Sequence, residues 1–175
     1  MSLARDQTMP HAYRFDDDGL VPNNPMPLLI YKGAVDIARP DPAAAIEELF
    51  ARNGWGQQMW RNGIFDYTHY HATVHEALGV ARGHALVLFG GEQGEAIELK
   101  PGDVAVLPAG TGHKRLFATH DFQVVGGYPP GPEMQVTRPT PANYQRALKT
   151  IPEVALPESD PVGGDDGPLT RLWRA

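Results

Sequence analysis

Residues Gly63 to Gly83 read GIFDYTHYHATVHEALGVARG. His69, His71, His75 and Glu76 stand within eight residues of this stretch and include three of the chain's seven histidines. His69 and His71 are two apart, so on a strand their imidazoles project from one face and can meet a single ion. Glu76 follows after four intervening residues, room for a bend that returns a carboxylate to the same place. One His-x-His means little alone; the weight lies in what stands elsewhere. Thirty-seven residues past Glu76, the stretch PGDVAVLPAGTGH (101–113) ends in His113 after a tight Pro-Ala-Gly turn. If the sheet closes, that strand lies across from the first and supplies a fourth ligand.

The rest of the chain narrows what such a site is made of. The sequence holds 175 residues with 42% hydrophobic and 21% charged content, enough for one domain with a proper core. It has no cysteine, which excludes disulfides, thiolate metal sites and cysteine nucleophiles together. Any metal must then sit on nitrogen and oxygen. The net charge is −6 and the basic residues are scattered, so no phosphate-backbone footprint is expected. The opening MSLARDQTMPHAYRF has no apolar h-region, and no later run is long enough to span a bilayer. A soluble, cytoplasmic protein with no nucleic-acid or membrane partner is the expectation.

Nineteen glycines and 17 prolines, spread along the chain, predict many turns between short strands. Residues 1–27 read as an extended arm, since PNNPMP excludes helix. LLIYKGAV (28–35) is a first strand. DPAAAIEELFARNG predicts a helix with Asp41 as N-cap, Pro42 at its first position, Gly54 at its exit, and Ala45, Ile46, Leu49 and Phe50 buried. Strands are then expected at 57–62, 64–71, 76–81, 84–89, 95–99, 104–107, 115–118 and 122–128. Strands this closely spaced leave no room for parallel crossovers, so an antiparallel barrel or double-sheet jelly roll remains. TPANYQRALKTI predicts a second helix capped by Thr140, with Tyr144 and Leu148 on one face. An acidic loop then leads to a docking segment anchored by Leu169, Leu172 and Trp173. The chain is read as one domain over 1–175: arm 1–27, barrel with inserted helix 28–130, and C-terminal helix and tail 131–175.

Two glycine-framed patterns carry a family resemblance. Gly63, five residues, His69-x-His71, four residues, Glu76, six residues and Gly83 resembles the first motif of the cupin superfamily. Gly102, five residues, Pro108-x-Gly110, two residues and His113 resembles its second. The 18 residues between them suit the spacing. The chain also looks like small single-domain bacterial cupins of poorly defined function. One position departs: where cupins often carry Asn, four residues after the last histidine, this chain has Phe117. The resemblance implies an all-β, cupin-type double-stranded β-helix (a jelly-roll barrel) with one or two short peripheral helices. It also implies one divalent transition-metal ion (Fe, Mn, Ni, Zn or Cu) on His69, His71, Glu76 and His113, and a homodimer.

Four ligands leave an octahedral ion two open places. The expected function is a metal-dependent oxygenase or isomerase acting on a small oxygenated, anionic molecule. Its alternative is a non-catalytic module that binds a small sugar or acid with the same metal. A third reading gives the metal a purely structural role. By strand parity with His69 and His71, Arg61 and Tyr67 face the interior as substrate contacts, unless a bulge at Asn62-Gly63 reverses that parity, with Phe117 on the pocket floor. Tyr67 and His75 are the nearby acid–base candidates. Beside Glu76 on a strand, however, His75 would point the opposite way, toward the outer face or a carbonyl.

Overall fold

The computed structural model describes residues 9–174; residues 1–8 of the expected arm, and Ala175, lie outside them. Nine strands are present among the described residues: β1 (His11–Tyr13), β2 (Leu28–Tyr31), β3 (Gln58–Asn62), β4 (Glu76–Arg82), β5 (Ala85–Phe89), β6 (Glu95–Leu99), β7 (Val104–Leu107), β8 (His113–Ala118) and β9 (Gln123–Tyr128). They form an antiparallel six-stranded sheet in the order β1-β2-β7-β4-β9-β3 and a three-stranded sheet in the order β6-β5-β8. The helices are α1 (Pro42–Arg52), α2 (Pro141–Thr150) and α3 (Leu169–Leu172).

The two sheets close over one core. Leu28, Ile30, Leu78 and Val80 of the large sheet pack with Val87, Phe89, Ile97 and Leu99 of the small one. The intervening residues Leu29, Tyr31, Ala77, Val104 and Val125 face the other way, beneath Ile46 and Phe50 of α1 and Leu169 and Trp173 of the tail. With both faces covered, β2 and β7 are buried throughout and β4 is buried up to its last residue, so these strands read as continuous apolar runs. This is the expected jelly roll with peripheral helices.

Three local expectations change. No strand spans 64–71: after Gly63 the chain bends away, and it is tied to neighbours by single bridges, His69 to His113 and Tyr70 to Thr137, and by the Phe65 and His71 carbonyls, which accept from the Arg115 and Gly110 amides. Asp41 sits in extended backbone before α1, but its carboxylate bonds Arg61 instead of capping the helix, and Leu49 is only half-buried. Thr140 does cap α2, accepting from the Asn143 amide at 3.1 Å, yet α2 buries only Ala147, and Leu148 is exposed. The tail docks as anticipated, with Leu169 and Trp173 buried.

The arm folds onto its own chain. β1 edges the large sheet, and Asn23 clasps the second-motif loop. The Asn23 amide donates to the Gly110 carbonyl, and its side-chain oxygen accepts from the Gly112 amide at 3.1 Å. Asn24 donates to the Ala109 carbonyl at 2.8 Å. Gly110 has φ +95, and a Cβ there would lie 2.5 Å from the Asn23 carbonyl oxygen, so only glycine fits this clasp.

Candidate metal centre

His69, His71 and His113 converge at the inner end of a cavity of about 480 Å³. One ring nitrogen from each lies within 4.8 Å of the others, a group that can hold a metal ion. The local chain sets their orientation. His69 and His113 exchange backbone hydrogen bonds, 3.1 and 2.9 Å, which lays the first-motif segment beside β8. Each imidazole then directs Nδ1 at a main-chain carbonyl: His69 at Tyr67 (3.0 Å), His71 at Gln135 (2.9 Å) and His113 at Thr111 (3.0 Å). A carbonyl only accepts, so Nδ1 carries the proton, and Nε2 presents a lone pair when the ring is neutral. That is the tautomer a metal requires, fixed by outer contacts.

Glu76 begins β4, almost wholly buried, with its carboxylate against His71 and His113; it stands outside the group of three whose ligand nitrogens lie within 4.8 Å of one another. Its Oε2 lies 3.1 Å from Nε2 of His71 and accepts from the Tyr128 hydroxyl at 2.5 Å. Its Oε1 lies 3.3 Å from Nε2 of His113 but makes no hydrogen bond. Burial alone would raise the Glu76 carboxyl, yet His71 and His113 hold it well below the ordinary carboxylate range. For His71, burial is outweighed by the facing carboxylate and the Gln135 carbonyl, which raise it. Burial and the neighbouring His113 push His69 down to about 3. A buried carboxylate oxygen that makes no hydrogen bond is costly unless positive charge, a protonated imidazole or a metal ion, stands beside it. The donor set, three neutral imidazoles and one carboxylate, fits a divalent transition ion.

The other expected site residues sit elsewhere. Arg61 pairs across β9 with Val125, on the α1 side of the sheet, and its guanidinium binds Glu47 and Asp41. Parity counted from His69 fails because the bend over 63–68 interrupts the strand, so Trp60 faces the cavity instead. Phe117 is 54% exposed, outside the cavity. A register shift in the β5–β8 pairing aligns Arg115 with Val87 but Phe117 with Leu86, so the bulged strand turns Phe117 outward. Tyr67 does not line the cavity; its ring stacks on Phe65 at 4.9 Å beneath the Arg138 guanidinium, and only its carbonyl serves His69.

His75 lies behind the site. Its Nδ1 accepts from the Ala109 amide at 2.9 Å and its Nε2 donates to the Ala155 carbonyl at 3.1 Å, so both nitrogens are occupied. Burial pushes it down to about 4, and the neutral ring ties the second-motif turn to the tail.

Three residues at the site escaped the sequence reading. Arg115 lines the cavity, loosely paired with Asp66 at 3.7 Å; its even spacing from His113 was the available signal. Tyr128 and Trp60 meet only through the β3–β9 pairing, and no local pattern marks them.

Comparisons place the chain among relatives. No family model matches it. It is 41% identical over 162 residues to the uncharacterized protein YjlB of Bacillus subtilis (strain 168), covering 92% of this chain and 94% of that one. Among solved structures, acireductone dioxygenase from Bacillus anthracis, with a cadmium ion in its active centre, is 22% identical with a TM-score of 0.35, over 55% of this chain and 60% of its own. RmlC from Streptococcus suis, in complex with dTDP-D-xylose, is 13% identical with a TM-score of 0.32, over 93% of each chain. Overlaps this loose leave the fold to rest on strand order and core. No helix among the described residues is long and apolar enough to cross a membrane. With YjlB matched almost end to end, the chain belongs to the family of that uncharacterized protein, and its two histidine motifs, folded onto one jelly roll, resemble those of cupins.

Proposed function

We propose that His69, His71, Glu76 and His113 hold one divalent transition-metal ion (Fe, Mn, Ni, Zn or Cu), and that the protein is a metal-dependent oxygenase or isomerase acting on a small oxygenated, anionic molecule. The observation that carries this reading is the convergence of one ring nitrogen each from His69, His71 and His113, with Glu76 Oε1, buried and without a hydrogen bond, 3.3 Å from Nε2 of His113. Bound there, the ion supplies positive charge and open positions for an oxygen ligand.

The chain's own residues shape what enters. Trp60, Ile64, Phe65, Met134 and Val136 make an apolar wall, and among the described residues Arg115 is the one Lys or Arg lining the cavity, 3.7 Å from Asp66, which lines it too. An acid with an apolar body suits that wall, with its second charge or oxygen at Arg115. A homodimer and a cytoplasmic location belong to the same reading; light scattering tests the first.

The function is tested by incubating iron-, manganese- and zinc-loaded protein with small hydroxy acids, keto acids and diols, following substrate loss and O₂ uptake. Metal-dependent turnover is the expected result, weakened mainly in KM by Arg115→Ala. O₂ uptake identifies an oxygenase, and rearrangement without it an isomerase. Saturable binding without turnover on any metal contradicts the enzyme reading and favours a binding module.

A further inference from the structure

We propose that Tyr128, backed by Trp60, is a positioning residue that holds Glu76 in a one-oxygen binding mode, with Oε2 engaged by the phenol and Oε1 left for the ion. The inference rests on the metal reading above and deepens it. Tyr128 is fully buried at the end of β9, and its hydroxyl donates to Glu76 Oε2 at 2.5 Å, the length of a hydrogen bond to an ionised acceptor. Behind it, the Trp60 indole N–H donates to the phenol oxygen at 2.7 Å. An indole N–H only donates, so it occupies a lone pair of the phenol and leaves the single phenol proton directed at the carboxylate.

The backbone makes room for this relay. Trp60 stands opposite Gly126 in the β3–β9 pairing, and a Cβ on Gly126 would lie 2.2 Å from the indole Cε2. A glycine there lets the ring lie flat across β9 and reach the phenol. The consequence is an asymmetric carboxylate: Oε2, which also lies 3.1 Å from Nε2 of His71, already accepts the phenol proton, so offering it to an ion as well would weaken one contact or the other, while Oε1 has no hydrogen bond to give up.

The test is cobalt(II) titration of metal-free protein against a chromophoric chelator, with visible absorption of the loaded form. Wild-type protein should bind one cobalt ion. Tyr128→Phe should bind it about 10- to 100-fold more weakly. Its cobalt bands should also lose intensity, because a freed carboxylate that gives both oxygens raises the coordination number. Trp60→Phe, which keeps the phenol but removes the donor behind it, should shift both readouts the same way by less. If folded wild-type protein takes up no cobalt, the metal reading fails and this inference fails with it. If the wild type binds cobalt and Tyr128→Phe matches it in affinity and spectrum, the metal reading stands and this inference is overturned. Should Tyr128→Phe fail to fold, Trp60→Phe decides, and unchanged affinity and spectrum there overturn the inference.

Discussion

The two histidine-bearing segments of this protein are built in opposite ways. The second, Pro108 to His113, is a tight turn leading straight into β8, clasped by Asn23 and Asn24 of the arm and by His75 from behind. The first, Gly63 to His75, is a long irregular excursion held by single bridges to His113 and Thr137 and by the Gln135 carbonyl on His71. In one case the rigid backbone places the ligand. In the other, scattered hydrogen bonds from distant parts of the chain do so. Both nonetheless deliver the same imidazole tautomer to the same point. Motif residues therefore name the ligands, while residues far outside the motifs aim them.

That contrast is breakable, beginning with the largest expected effect. His75→Ala removes the partner of the Ala109 amide and of the Ala155 carbonyl and leaves a buried void. It should cost about 2–4 kcal/mol of stability, measured by urea denaturation of the metal-free protein. An unchanged midpoint would show that the turn needs no support from behind. Asn23→Ala strips the side-chain bonds that join the arm to Gly90 and Gly112. The expected loss is about 1–3 kcal/mol, with metal affinity falling because His113 follows Gly112 directly. Asn23→Gly should be milder, since Asn23 has φ 54, a conformation glycine adopts freely. Phe117→Ser, on the exposed face, should change stability by no more than about 0.5 kcal/mol and leave metal content unaltered. A large effect on metal content would return Phe117 to the site and undo the bulge argument.

Much of this was readable in the residues, for physical reasons that differ by element. Turn chemistry and strand spacing identify the double-sheet fold, and α1 announces itself through Pro42 and the Gly54 exit. The convergence of His69, His71 and His113 was legible from the spacing of two motifs 18 residues apart, although what aims each ring lies outside them. Arg61 and Phe117 were misplaced for one shared cause: strand parity holds only while pairing is regular, and a bend at 63–68 and a bulge at 115–117 each reset it. Tyr128 and Trp60 were invisible because their meeting depends on β3 pairing with β9, a contact 68 residues long in sequence. The arm was read as extended, and that holds over β1, but its hold on the second-motif loop depends on two asparagine side chains that no local pattern marks.

The most direct test of the central claim is metal content. Protein purified without a nickel column would be measured by inductively coupled plasma mass spectrometry beside a folded Glu76→Gln, His113→Ala double variant. The account predicts close to one iron, manganese, nickel, zinc or copper ion per chain in the wild type and its loss in the variant. Wild-type protein that stays metal-free after reconstitution, or a variant that retains its ion, would contradict it and reduce the four residues to barrel lining.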